Sequence, residues 1–143
     1  MNGSVPPADS PGLLLWRATL RWQRLIGAAL KPLDLTHVQF VLLASTWWLT
    51  GVAGETPSQR RVAEHAGTDP MMTSQVLRTL EAKGLITRAE HPDDSRARAL
   101  SVTRRGATLT KRALGIVEAA DAEFFEAAGD QAAVLRLLRR LSG

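Results

Sequence analysis

The chain has 143 residues, of which 45% are hydrophobic and 22% are charged, so we expect one soluble domain or a compact two-part unit. It has no cysteine, which excludes disulfides, thiolate metal sites and a cysteine nucleophile and fits the reducing cytoplasm that we predict as its location. The apolar runs are shorter than the roughly 18 residues that a membrane span needs, and a net charge of +4 favours an anionic partner.

The N-terminal half of the sequence predicts a tail and three helices. The polar tail carries no leader of basic and then apolar residues. Ser10 is an N-cap candidate and Pro11 follows it at the first helical position. The helix that begins there has two apolar faces, and Pro32 ends the helix. Thr36 to Gln39 form a capping box for an almost wholly apolar, buried helix that Gly51 and Gly54 close. Thr56-Pro57 repeats the signal for a short third helix that stops at Gly67.

The C-terminal half predicts three more helices and a hairpin. Asp69-Pro70 caps a fourth helix that ends at Gly84. LITRAE and ARALSV then alternate like strands around a turn at Pro92 and Asp93. Thr103 caps a fifth helix that runs to about Ala128, and Asp130 caps a sixth. The predicted fold class is mainly α (α+β): six helices with a two- to three-stranded β-wing.

Residues 58–85 have the pattern of a helix-turn-helix, a short helix and a tight turn at Gly67 followed by a second helix. The second helix carries a polar stripe of Ser74, Gln75 and Arg78, residue types that reach base edges and phosphates. Most polar stripes are only solvated. The hairpin that follows changes this interpretation, because a helix-turn-helix with a two-stranded ribbon is a winged helix whose wing would carry Arg96 and Arg98 toward DNA.

Charge is concentrated in the same region. Residues 56–112 contain eleven basic and six acidic residues, which gives this region a net charge of +5 against +4 for the whole chain. A positive region of this kind is the electrostatic signature of nucleic-acid binding.

Nearly the whole chain, residues 13–143, resembles the MarR family of transcriptional regulators. Residues 35–43 match that family's LT-x-x-QF-x-(V/L)L segment, and residues 80–88 match LE-x-KGLI-x-R. Residues 94–106 match its wing motif, in which Asp94 precedes Arg96 and Thr103 precedes Gly106. The resemblance pairs Asp94 with Arg96, so we expect the carboxylate to hold the guanidinium extended toward DNA rather than merely to repel phosphate.

The resemblance implies a homodimer in which the first, fifth and sixth helices of two chains interlock. We expect residues 1–10 to be a disordered tail, residues 11–34 and 104–143 to form the helical dimerisation region, and residues 35–103 to form the winged helix-turn-helix domain. Two recognition helices would enter successive major grooves of a pseudo-palindromic operator in double-stranded DNA, with half-site centres about 10 base pairs apart. The expected function is a sequence-specific regulator, and we expect it to be a repressor.

The DNA-contacting residues that we predict lie on three elements; they are Ser58, Thr73, Ser74, Gln75, Arg78, Arg88, Asp94, Arg96 and Arg98. The chain departs from its family at Pro70, where a basic residue is common, and at Met71 and Met72, where small polar residues are common. We expect Met72 to pack inward and Met71 to contact a thymine methyl group or a sugar. Base contacts therefore cannot simply be transferred from relatives.

Many members of the family bind small aromatic or phenolic effectors between the dimer helices and the DNA-binding lobe. The candidate ligand residues here are Trp16, Arg17, His37 and Trp47, because a tryptophan beside an arginine can hold an aromatic anion. The alternative to a ligand site is that the tryptophans belong to the core and the dimer interface.

Other classes of function have little support in the sequence. The three histidines are scattered without metal-ligand spacing, so we predict no metal and no cofactor. No serine elbow, paired carboxylates or phosphate-binding glycine loop points to an enzyme. The alternatives left open are a winged helix that acts constitutively without ligand and one that serves as a protein–protein assembly module.

Overall fold

A computed structural model describes the backbone of residues 3–143 and the side chains of these residues apart from 95–97. Over that part of the chain it has six α-helices and one antiparallel pair of strands, which confirms the predicted fold class. In chain order the elements are α1 (Pro11–Leu30), α2 (His37–Trp47), α3 (Gln59–Ala66), α4 (Pro70–Ala82), β1 (Ile86–His91), β2 (Asp94–Val102), α5 (Arg104–Phe125) and α6 (Gln131–Ser142). A 3-10 turn lies within the predicted tail, at Pro7–Asp9.

Side-chain caps set the helix starts where the sequence predicts them. A capping oxygen accepts a hydrogen bond from the backbone N–H three residues further on at Ser10, Thr36, Asp69, Thr103 and Asp130. The Gln39 side chain also accepts from the Thr36 backbone N–H, which completes the predicted capping box.

One predicted helix start is wrong. The cap of α3 is Ser58, whose Oγ accepts from the backbone N–H of Arg61 at 3.1 Å, and Pro57 lies before the helix instead of at its first position. Thr56 and Ser58 are both candidate caps, and Ser58 is the one that caps the helix. The reason is that the carbonyl of Pro57 accepts from the backbone N–H of Leu100 in the wing, which keeps Pro57 outside the helix.

Two helix ends also differ from expectation. The α-helical part of α2 stops at Trp47, and a π turn, Trp48–Val52, covers the stretch up to Gly51 that we assigned to the helix. Likewise α5 ends at Phe125, and a 3-10 turn, Glu126–Ala128, follows it.

One hydrophobic core holds the recognition helix and the C-terminal half of α1 together. Its fully buried members come from helices α1 to α5, the π turn and the wing, and they include Ile26, Leu30, Leu42, Leu43, Leu49, Val62, Leu77, Leu80, Leu85, Ile86, Leu100 and Ala113. Burying each such side chain stabilises the fold by about 1.5–3 kcal/mol. The exposed face of α4 is therefore carried by a helix whose other face is fixed in the core.

Two apolar faces remain uncovered in one protomer. No residue of α6 is buried, and four of its leucines are exposed: Leu135, Leu137, Leu138 and Leu141. In the N-terminal half of α1, Leu14, Leu15 and Trp16 are exposed in the same way. Helices that stay in water usually keep only one face polar and bury the other, so these two faces are suited to a partner chain.

Candidate nucleic-acid interface

The outer face of α4 carries the predicted reading residues. Gln75 and Arg78 are exposed and Ser74 is half-buried, while Leu77 and Leu80 are fully buried on the opposite face. Asp69 Oδ1 accepts from the backbone N–H of Met72 at 2.9 Å, so the N-terminal end of the helix is fixed. The structure thus presents a polar stripe on a firmly held helix, as a major-groove reader requires.

Thr73 is the exception, because the structure places it in the interior and not on the exposed stripe. The residue is fully buried, its Oγ1 donates to the carbonyl of Asp69 at 2.7 Å, and the same oxygen lies 2.6 Å from Oγ1 of Thr68. Since Thr73 donates to the carbonyl, its hydroxyl accepts from Thr68. These bonds fix the turn between α3 and α4, and the Thr73 side chain does not face solvent.

The wing is fastened to the start of α3. Ser58 forms a backbone bridge with Ala99 of β2, and its hydroxyl is used as the cap of α3. Arg88 of β1 donates from Nη2 to Oε1 of Gln59, and its Nε is buried with no hydrogen-bond partner among the described residues. This geometry favours a positioning role for Arg88, which turns toward α3, over a direct contact with DNA.

The tip of the wing is a tight turn at Pro92 and Asp93, as predicted. The backbone N–H of Asp93 donates to Nδ1 of His91 at 3.1 Å, so the ring proton lies on Nε2, which is 3.1 Å from the carbonyl of Thr56. Pairing runs from Ile86–Val102 to Glu90–Arg98 and then jumps to His91–Asp94. The extra residues on β2 form a bulge at the tip.

Among the predicted wing residues, Arg98 and Asp94 are exposed. Arg96 lies in β2, but its side chain is outside the part of the chain that the structure describes. The pairing of Asp94 with Arg96 therefore stays a prediction.

Four hydrogen bonds anchor the region after α4. Lys83 Nζ donates to the carbonyl of Asp34 and, at 3.2 Å, to Oε1 of Gln39. Arg105 Nη1 donates to the carbonyl of Lys83 at 2.8 Å, and Thr103 Oγ1 donates to the carbonyl of Gly84 at 2.8 Å. The C-terminal end of the recognition helix is thus tied to the α1–α2 loop, the wing and α5. Lys83 and Arg105 therefore supply both positive charge and structural hydrogen bonds to this lobe.

A crevice of about 580 Å³ lies between α1, α2 and the helix-turn-helix. Its lining includes Trp22, His37, Val38, Val41, Thr68 and Met72. Trp22 Nε1 donates to Oδ1 of Asp121 at 2.8 Å, and its ring meets that of His37 edge-on, with 4.8 Å between the ring centres. Burial lowers the pKa of His37, an effect that the nearby Asp121 carboxylate opposes. At neutral pH the imidazole is therefore uncharged.

Of the four predicted ligand residues, the structure brings only His37 into this crevice. Trp16 and Arg17 are exposed on α1, and Trp47 lies at the opposite end of α2, about 15 Å from His37 along the helix axis. Within one protomer these residues do not form one site. Trp22 is the tryptophan that lines the crevice, and it lies one helical turn before buried Ile26, on the core-facing side of α1.

Over the described residues, no three side chains of the metal-binding types come together as a cation site. The helices within that same part of the chain are too short or too polar to cross a bilayer.

Comparison with known proteins places the chain among transcriptional regulators. The family model described as MarR family matches residues 35–97. The uncharacterized HTH-type transcriptional regulator YdcH of Bacillus subtilis is 50% identical over 122 residues, which cover 85% of this chain and 82% of YdcH. The HTH-type transcriptional repressor Rv2887 of Mycobacterium tuberculosis is 36% identical over 115 residues, which cover 80% of this chain and 79% of Rv2887.

Two solved structures resemble the chain over nearly its whole length. The complex of Rv2887 with salicylic acid has a TM-score of 0.66 and 31% identity, covering 99% of this chain and 98% of that one. CouR from Rhodococcus jostii, bound to p-coumaroyl-CoA, has a TM-score of 0.80 and 27% identity, covering 96% of this chain and 92% of that one.

Proposed function

The chain belongs to the MarR family of transcriptional regulators, and we propose that it is a repressor that binds a pseudo-palindromic operator as a homodimer and is released by a small aromatic ligand. Residues 35–103 serve as the DNA-binding domain in this proposal. Residues 11–34 and 104–143 serve as the dimerisation region, and residues 1–10 form a tail. Access to the chromosome makes the cytoplasm the proposed site of action, and we assign the chain no enzymatic activity.

The exposed stripe of α4 is the observation that carries the proposal. Gln75 and Arg78 stand on the outer face of a helix whose N-terminal end is capped and whose inner face is buried. A glutamine is suited to adenine and an arginine to guanine or to phosphate. The wing, joined to α3 through Ser58 and Gln59, would place Arg96 and Arg98 beside the same stretch of duplex.

Selection of bound sequences from a random DNA pool tests this function directly. We expect enrichment of an inverted repeat whose half-site centres are about 10 base pairs apart. Gln75→Ala and Arg78→Ala should each relax the preference at particular positions by about 1–3 kcal/mol. Enrichment of no sequence would contradict the proposal, and an unchanged preference in both variants would contradict the assignment of α4.

The homodimer is supported by the two uncovered apolar faces. Exposed leucines on α6 and exposed Leu14, Leu15 and Trp16 on α1 would be covered if two chains interlocked through these helices. A symmetric pair would also present two copies of α4, which matches the proposed inverted repeat.

The ligand is supported by the crevice beside Trp22 and His37. Its volume of about 580 Å³ falls in the range of small-molecule sites, and the relatives Rv2887 and CouR were solved with salicylic acid and p-coumaroyl-CoA. The lining offers hydroxyl, amide and imidazole groups but, among the described residues, no arginine or lysine. We therefore propose a neutral phenol in preference to a carboxylate.

Titration of methyl salicylate against salicylate, followed by tryptophan fluorescence and by release of the selected operator, tests the ligand. The neutral ester should bind more tightly, and Trp22→Phe should remove most of the fluorescence change. Trp16→Phe is the matched control and should keep that change, because Trp16 lies outside the crevice. Tighter binding of salicylate, or no release of operator by either compound, would count against this part of the proposal.

A further inference from the structure

Two adjacent methionines at the start of α4 face in different directions. Met71 is 73% exposed, whereas Met72 is half-buried and lines the crevice beside Trp22. Single exposed apolar residues are common on protein surfaces, so the exposure of Met71 carries little by itself. Its position on the helix is what gives it meaning.

Met71 lies on the DNA-facing stripe. Offsets of three, four and seven residues put it on the same face as Ser74, Gln75 and Arg78, within an arc of roughly 100°. The stripe is about 10 Å long, the rise of roughly three base pairs. Residues at the N-terminal end of a recognition helix are those that contact base edges, and Pro70 and the Asp69 cap fix that end.

The chemistry of the side chain selects its target. A thioether has no hydrogen-bond donor and is only a weak acceptor, so Met71 is suited to an apolar group. The apolar group in the major groove is the C5 methyl of thymine, which cytosine lacks. Building on the proposed operator binding, we propose that Met71 is a specificity-determining residue that packs on a thymine methyl group and so selects thymine at one position of each half-site.

Deoxyuridine scanning of the selected operator tests this inference, because uracil differs from thymine only by that methyl group. Replacing one particular thymine in a half-site should weaken wild-type binding about fourfold, the factor expected for one buried methyl group. Met71→Ala should bind the thymine and uridine operators equally. Met71→Leu should keep the discrimination, since it keeps an apolar side chain.

Val52→Ala is the matched control, because Val52 is an exposed apolar residue away from α4 and its loss should leave the discrimination unchanged. Equal binding of every uridine operator by the wild type, or discrimination that persists in Met71→Ala, would overturn the inference. These results are distinct from failure of the proposed function, in which the random pool yields no operator to scan.

Discussion

The side chain of Thr73 belongs to the interior of the DNA-binding lobe. It lies one and two helical turns before buried Leu77 and Leu80, on the core-facing stripe of α4. Its hydroxyl joins the carbonyl of Asp69 to the hydroxyl of Thr68. Buried hydroxyls that bond in two directions hold a turn more firmly than packing alone, because breaking either bond leaves a polar group unpaired.

We predict that Thr73→Val, which keeps the shape and removes the hydroxyl, lowers the free energy of unfolding by about 1–3 kcal/mol. Urea unfolding measures the change. Thr79→Val is the control in the same helix: Thr79 is exposed, so its loss should change stability by less than about 0.5 kcal/mol. Operator affinity of folded Thr73→Val should match the wild type; a large loss would restore Thr73 as a DNA contact.

Arg98 is an exposed basic residue of the wing, paired across the sheet with Glu90. We predict that Arg98→Ala weakens binding to all sequences and lowers the slope of log affinity against log salt concentration by about 1 for each protomer. Affinity measured at several salt concentrations checks this. Arg136→Ala, on exposed α6, should leave the slope unchanged. The same outcome is predicted from the sequence motif for Arg96→Ala, and an unchanged slope in both wing variants would show that the wing does not touch phosphate.

At the level of elements, α5 begins directly against the base of the wing. A Cβ on Gly106 would lie 2.0 Å from the carbonyl oxygen of Leu85 and 2.8 Å from Cγ1 of Val102. Only a glycine allows the helix and the strand to approach this closely. The glycine that ends the wing motif, Gly106, is thus explained by close packing between α5 and the base of the wing.

We predict that Gly106→Ala lowers the free energy of unfolding by about 3 kcal/mol, at the upper end of the range for overpacking. Gly115→Ala is the matched substitution in the same helix. Nothing lies within 4 Å of its added Cβ, so it should stabilise α5 by about 0.5–1 kcal/mol. Thermal unfolding of both variants measures the two changes in stability. Equal changes would mean that the close approach of α5 to Leu85 and Val102 is not rigid.

The contact between α1 and α2 predicts a dependence on pH. Burial lowers the pKa of His37 below its ordinary value of 6.5. As the pH falls below 6.5, the unfolded chain takes up this proton first, so stability is lost between 6.5 and the lower pKa of the folded state. We predict that His37→Gln, compared with the wild type by urea unfolding at pH 7.5 and pH 5, loses less stability on acidification.

A His37→Gln variant with the full wild-type dependence would show that this contact is not its source.

Local signals predicted the elements well because each depends on few residues. The caps at Thr36, Asp69 and Thr103 are bonds across three residues, and they form wherever the sequence allows them. The site was harder to predict, because burial depends on distant neighbours. Helical spacing puts Thr73 on the same face as Leu77 and Leu80, yet its hydroxyl is equally typical of a DNA contact, and the position of Trp47 depends on the length of α2.

For the whole molecule, the uncovered faces of α1 and α6 predict the oligomeric state. We predict that the double substitution Leu137→Glu and Leu141→Glu converts the proposed homodimer to a monomer, since two carboxylates would have to be buried without partners. Light scattering at micromolar concentration measures this. Circular dichroism should stay unchanged, because α6 buries no residue within a protomer.

Val52→Glu, at an exposed position outside both faces, should remain a dimer. A wild-type monomer at the same concentration, or a double variant that stays dimeric, would contradict the proposed interface.

The anchors at the end of α4 have a consequence for the geometry of the operator. Because Lys83, Thr103 and Arg105 tie the recognition helix to the α1–α2 loop, α2, the wing and α5, the helix cannot tilt by itself to follow a displaced half-site. One inserted base pair would shift one half-site by about 3.4 Å and rotate it by about 34° around the duplex axis. The proposed dimer of two such stiff lobes should therefore tolerate changes of base far better than changes of spacing.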